Sequence, residues 1–96
     1  MYKVELSFDT NLLDVTHAES LCMQTDEIFE KEDLSCADRQ PGKRIYQDKG
    51  RKQDYGRFWA AIFALKDMRG IVENLKECFW YNGAEKENLI TEFLRN

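Results

Sequence analysis

Residues 2–8 alternate along the chain. Tyr2, Val4, Leu6 and Phe8 share one face, while Lys3, Glu5 and Ser7 share the other. A period of two predicts a half-buried β-strand, because successive side chains leave a strand on opposite sides. Asp9-Thr10-Asn11 then supplies turn chemistry. Beyond it the period lengthens. Leu21, Thr25, Ile28 and Phe29 fall on one helical stripe with Cys22 beside it. Thr16 and Glu19 have the spacing of a capping box, and Glu27 and Lys31 that of an i,i+4 ion pair. Together they predict a helix over about 17–32.

Residues 35–48 read as a hairpin. Ser35–Asp38 is a weak first arm, and Lys43–Gln47 is the second. Pro41-Gly42 between them suits a type II turn, in which proline pre-sets φ and glycine supplies a positive φ. Asp48–Arg51 is another turn, after which Asp54 can cap a helix over about 55–69. The wide apolar side of that helix is Phe58, Trp59, Ile62, Phe63, Leu65 and Met68, and Ala60, Ala61 and Ala64 raise its propensity. Ile71, Val72, Leu75, Cys78 and Phe79 give a further helical stripe over 71–81. Gly70 is then a corner between two helices, the alternative being a glycine tolerated inside one long helix. Asn82-Gly83 ends the segment, and a last helix over 85–95 turns Leu89, Ile90, Phe93 and Leu94 inward. The fold class expected is α+β: a small antiparallel sheet, made of strand 2–8 and the hairpin 35–48, packed by three to four helices (17–32, 55–69, 71–81, 85–95). With 96 residues, no linker and no repeat, residues 1–96 form one compact domain.

Charge adds what periodicity does not. The whole chain has 18 acids against 14 Lys and Arg, a net −4, which gives no overall attraction to nucleic acid or anionic membrane. The distribution is uneven. Residues 1–33 hold nine acids against Lys3 and Lys31, a balance of −7, while residues 39–57 hold seven bases against Asp48 and Asp54, a balance of +5. Three readings follow: the halves attract one another within the fold, the acidic helix meets a basic partner, or the basic segment meets phosphates. The candidate acidic face is Asp26, Glu27, Glu30 and Asp33. The candidate phosphate-binding set is Lys43, Arg44, Arg51 and Lys52, with Tyr46 and Tyr55 available to stack on bases. Phe79-Trp80-Tyr81 adds an aromatic candidate. Three consecutive aromatics cannot all enter one core from a single helix, so at least one is exposed or covered, either by the last helix or, with Trp80 and Tyr81 as interface anchors, by a partner or a second copy of the chain.

Catalytic chemistry is not legible. His17 is the sole histidine, and on a helix it diverges from Cys22 by roughly 140°. Neither C-x-x-C nor H-x-x-x-H spacing occurs, so no metal or other cofactor is expected. Gly42-Lys43-Arg44 fails the phosphate-loop pattern, since Ala37 stands where its first glycine belongs and Arg44 where its hydroxyl belongs. Glu73 and Glu77 lie one turn apart beside Lys76, as expected of a solvated face. Three cysteines (Cys22, Cys36, Cys78) at unequal gaps do not form a disulfide framework, and a reducing cytoplasm is the expected compartment. The longest apolar run, Phe58–Leu65, is eight residues, far short of the roughly 20 of a spanning helix. The start of the chain lacks a signal-peptide pattern, and no membrane association is expected. The function expected is a non-enzymatic protein-interaction module, an adaptor or inhibitor. One form of it is an acidic inhibitor seated in a basic nucleic-acid channel. The alternative is nucleic-acid binding through 39–57.

Overall fold

A computed structural model describes residues 1–95. The elements run β1 (Tyr2–Phe8), α1 (Val15–Lys31), β2 (Ser35–Gln40), β3 (Lys43–Gln47), α2 (Asp54–Lys66), α3 (Arg69–Val72), β4 (Leu75–Asn82) and β5 (Glu85–Asn88), followed by a π-helical turn at Ile90–Leu94. The strands form one sheet in the order β2-β3-β1-β4-β5, with every neighbouring pair antiparallel. The fold is α+β. It interleaves two split βαβ units: β3 lies between β1 and β2, and β1 lies between β3 and β4. The β5 strand extends the β4 edge.

Alternation decides which face is covered. Val4, Leu6 and Phe8 of β1, Tyr46 of β3, and Cys78 and Trp80 of β4 are buried beneath Ala18, Leu21, Cys22 and Phe29 of α1 and Phe58, Ala61, Ile62 and Leu65 of α2. On the other face Lys3, Glu5, Ile45, Phe79 and Tyr81 are only partly buried. The hairpin turn is as expected, with Gly42 at φ +74. A Cβ there would lie 3.0 Å from Thr10 Cγ2, so a side chain would press on that methyl in addition to straining the backbone.

Both helix starts differ from expectation. Asp14, not Thr16, caps α1: its carboxylate accepts from His17 N at 2.7 Å, and Glu19 is drawn to Arg44 instead. Asp54 does not cap α2. It is fully buried and accepts from the backbone N–H groups of Lys49 and Arg51, which locks the turn before the helix.

The expected helices 71–81 and 85–95 are corrected. The chain leaves α2 at Lys66 and breaks at Met68, and Gly70 lies inside the four-residue α3, neither at a corner nor in one long helix. β4 then pairs with β1, with Val4 opposite Trp80, Leu6 opposite Cys78 and Phe8 opposite Leu75. A register shift at Ser7/Phe8 inserts one extra residue in β4. The inward residues Leu75 and Cys78 are therefore three apart, which imitates a helical spacing. The strand also settles the aromatic run: Trp80 points into the core, and Phe79 and Tyr81 point the other way. Gly83, at φ +61, turns the chain into β5, matching the glycine demand of a tight hairpin. Leu89, Ile90 and Leu94 do enter the core, from the π-helical turn.

Candidate partner-binding surface

The uneven charge of the sequence is first met inside the fold. Arg44 on β3 points at α1 and is 3% exposed. Its Nε donates to Asp26 Oδ1 at 3.2 Å, its Nη2 to Glu19 at 2.7 and 2.9 Å, and its Nη1 to the carbonyls of Gln40 and Lys43. Asp26 also accepts from Tyr46 OH at 2.6 Å and from Arg39 Nη1 at 2.6 Å. Tyr46 is stacked on Phe29 at 4.0 Å and touches Thr25 Oγ1 at 2.9 Å. Burial, joined by the Asp26 carboxylate, raises the phenol's pKa well above its ordinary value, so Tyr46 is a fixed donor.

A second cluster closes the loop before α2. Arg51 donates to Asp54 Oδ1 at 2.8 Å and, through Nη1 and Nη2, to the Asp33 carboxylate and carbonyl. Lys49 Nζ reaches Asp33 at 2.9 Å. Hydrogen bonds from Lys49 and Arg51 hold the Asp33 carboxyl down at about 2. Burial alone would raise the pKa of Asp54, but Arg51 and the two backbone N–H groups outweigh it and keep it below the ordinary carboxylate value. Asp33 itself sits at φ 57, in the left-handed region that aspartate tolerates at a helix end.

These contacts revise the candidate sets. Asp26 is 6% exposed and belongs to the interior, so it leaves the acidic face. Asp33 is exposed but held by Lys49 and Arg51. Glu27 and Glu30 remain exposed on α1. In the basic set, Arg44 and Tyr46 are buried and Arg51 is occupied by two carboxylates, so none of the three is presented to phosphates. Lys43 lies 3.9 Å from Glu5, Lys52 is exposed, and Tyr55 is half-exposed with its ring edge-on to Tyr2. Trp80 is a core residue at 4% exposure, packed on Tyr2, Phe58 and Trp59, and is not an interface anchor. Tyr81 lies on the open sheet face, with Lys3 Nζ 4.5 Å from its ring. No protein-family model, curated protein or solved structure matches this chain.

The surface that sequence reasoning missed is the outside of α2. Phe63, expected inward, is 58% exposed. Gly56, Ala60 and Ala64 are exposed with it, and Met68 just beyond the helix is 41% exposed. α2 is thus apolar on its solvent side as well as its core side. A helix with that pattern is ordinarily covered all round. The signal was present: residues 58–65 contain no polar side chain, and eight consecutive positions circle a helix twice. Beside this stripe a groove of about 400 Å³ runs between α1 and α2, lined by Ile28, Ala64, Met68, Gln24 and the charged Glu27, Lys31 and Glu32.

The thiols are placed for packing. Burial pushes Cys22 up to about 11 and Cys78 up to about 12, far from the range of a reactive thiolate. His17 is exposed at the start of α1. No helix is long and apolar enough to cross a membrane, and no group of three or more metal-ligating side chains is gathered, among the described residues.

Proposed function

We propose that this chain is a non-catalytic protein-interaction module that binds its partner through the outer surface of α1 and α2. The observation that carries the reading is the exposed apolar stripe of α2, in which Phe63 leans edge-on against Phe93 at 5.0 Å and still leaves more than half of its surface open. Exposed apolar residues scattered singly are ordinary, but a contiguous stripe beside a groove with a charged rim is the usual anatomy of an interface. The internal pairing of Arg44, Arg51 and Lys49 argues against the nucleic-acid alternative, because the guanidinium groups that would grip phosphates already grip carboxylates. The raised pKa values of the buried Cys22 and Cys78 thiols favour a binding role over thiol catalysis.

The test is a tagged-chain capture from the source cells, comparing Phe63→Lys with Ile45→Lys. Both substitutions add one charge to an outward-facing position, one on α2 and one on the open sheet face. The reading expects the captured partner to be lost with Phe63→Lys and retained with Ile45→Lys. The reverse pattern would place the interface on the sheet and overturn it.

A further inference from the structure

The contact surface has a chemical polarity that names the kind of segment it fits. Internal ion pairs take up Glu19, Asp26 and Asp33 of the acidic half. Glu27, Glu30 and Glu32 make no ion pair among the described residues. All three belong to the C-terminal end of α1, where the helix dipole is negative and disfavours anions. Arg57 donates there to the Glu32 carbonyl at 3.2 Å and not to a carboxylate, and of the three glutamates Glu27 and Glu32 line the groove, with Lys31 as the one basic residue in its lining. The apolar floor of Ile28, Ala64 and Met68 is therefore bordered by carboxylates that gain from a cationic neighbour.

We propose, on the basis of the reading above, that the α1–α2 groove takes a basic amphipathic helix from the partner protein. Apolar side chains from one face of that helix enter the groove between Ile28, Ala64 and Met68 and lie against Phe63, and Lys or Arg residues on its flank pair with Glu27 and Glu32. A helix suits the site better than an extended segment. Strand addition needs free backbone donors and acceptors at a sheet edge, whereas this groove is lined by side chains of two helices, the setting for i, i+3, i+4, i+7 anchors. Its volume of about 400 Å³ holds the side chains of one helical face, not a whole helix. The exposed Ala60 and Ala64 allow the incoming backbone to approach α2 at the ordinary interaxial distance of about 8–10 Å.

The probe is a synthetic 18-residue helical peptide with leucine at i, i+3, i+4 and i+7 and lysine on both flanks. A second peptide carries glutamate in place of every lysine. Each is titrated into the isotope-labelled full chain, with backbone amide shifts as the map and fluorescence anisotropy as the affinity. The lysine peptide is expected to shift resonances within 24–32 and 60–68. The double reversal Glu27→Lys with Glu32→Lys is expected to weaken it by about tenfold or more and to admit the glutamate peptide. Shifts centred on the sheet face or on 39–57, or equal affinity for the two peptides, would overturn the proposal. So would binding of the unliganded chain to phosphatidylserine vesicles that depends on Phe63, since the surface would then serve a membrane. Loss of the captured partner with Phe63→Lys, together with no binding of either peptide, would leave the interaction reading standing and remove the basic helix.

Discussion

Replacing Asp26 with alanine removes the acceptor at the centre of the buried seam between α1 and the β2–β3 hairpin. Tyr46 OH, buried at 1% exposure, would lose its 2.6 Å bond, and Arg44 Nε would lose its carboxylate. Breaking a buried ion pair by deleting one partner costs about 3–5 kcal/mol. The lower end applies here, because Arg44 keeps Glu19 and the carbonyls of Gln40 and Lys43. About 3 kcal/mol is a large share of the roughly 5–15 kcal/mol that a domain of this size has. In a melt it corresponds to a fall of about 12–24 °C, at roughly 4–8 °C per kcal/mol. The assay is urea unfolding at neutral pH followed by tryptophan fluorescence, with the slope checked for constancy. Tyr46→Phe in the same cycle isolates the hydroxyl–carboxylate bond, for which a coupling of about 1–2 kcal/mol is expected. A loss below about 1 kcal/mol for Asp26→Ala, at unchanged slope, would mean that Asp26 is solvated and that the seam does not form.

Three further outcomes are expected. Trp80→Ala should cost about 3–5 kcal/mol in the free chain, as a large core truncation does, and calorimetry of the unliganded protein checks it. Acid unfolding should reflect Asp33 and Asp54. Both carboxyls have folded pKa values below the ordinary aspartate value, so their stabilisation is complete above about pH 5 and is lost as pH falls, through about 2 for Asp33. Asp33→Asn with Asp54→Asn should flatten the pH–stability curve below pH 4, read as denaturation midpoints from pH 2 to 7. Gly42→Ala should cost about 1–2 kcal/mol in the same urea assay, since φ +74 is strained for alanine and its Cβ would press on Thr10.

Two elements were legible because their period is uninterrupted and matches the backbone they form. Tyr2–Phe8 alternates without interruption, and Leu21 to Phe29 repeats at helical spacing, so β1 and α1 were legible. Pro41-Gly42 marked the hairpin because only glycine meets the turn's positive φ. β4 was lost for a local reason: its bulge moved Leu75 and Cys78 to a three-residue spacing that periodicity cannot tell from a helix. β5 has no buried residue, so nothing in its sequence reports the strand. For the site, the charge imbalance was visible but not its partners. Asp26 and Glu27 are neighbours on the same helix and differ by about 100° in direction, and that angle sends one to Arg44 and the other to solvent. Composition could not choose between internal pairing and a waiting partner; only the pairing of β3 beside β1 beneath α1 does so. Phe63 was misread because a helix with apolar residues at every position offers no phase.

The claim that the α1–α2 surface meets the partner is tested most directly by photo-crosslinking in the source cells. A benzophenone amino acid would be placed in turn at Phe63 on α2, Ile45 on the open sheet face and Lys52 in the basic loop. A discrete protein adduct is expected from position 63 and none from positions 45 or 52. A protein adduct from position 45 alone, or a nucleic-acid adduct from position 52, would contradict it.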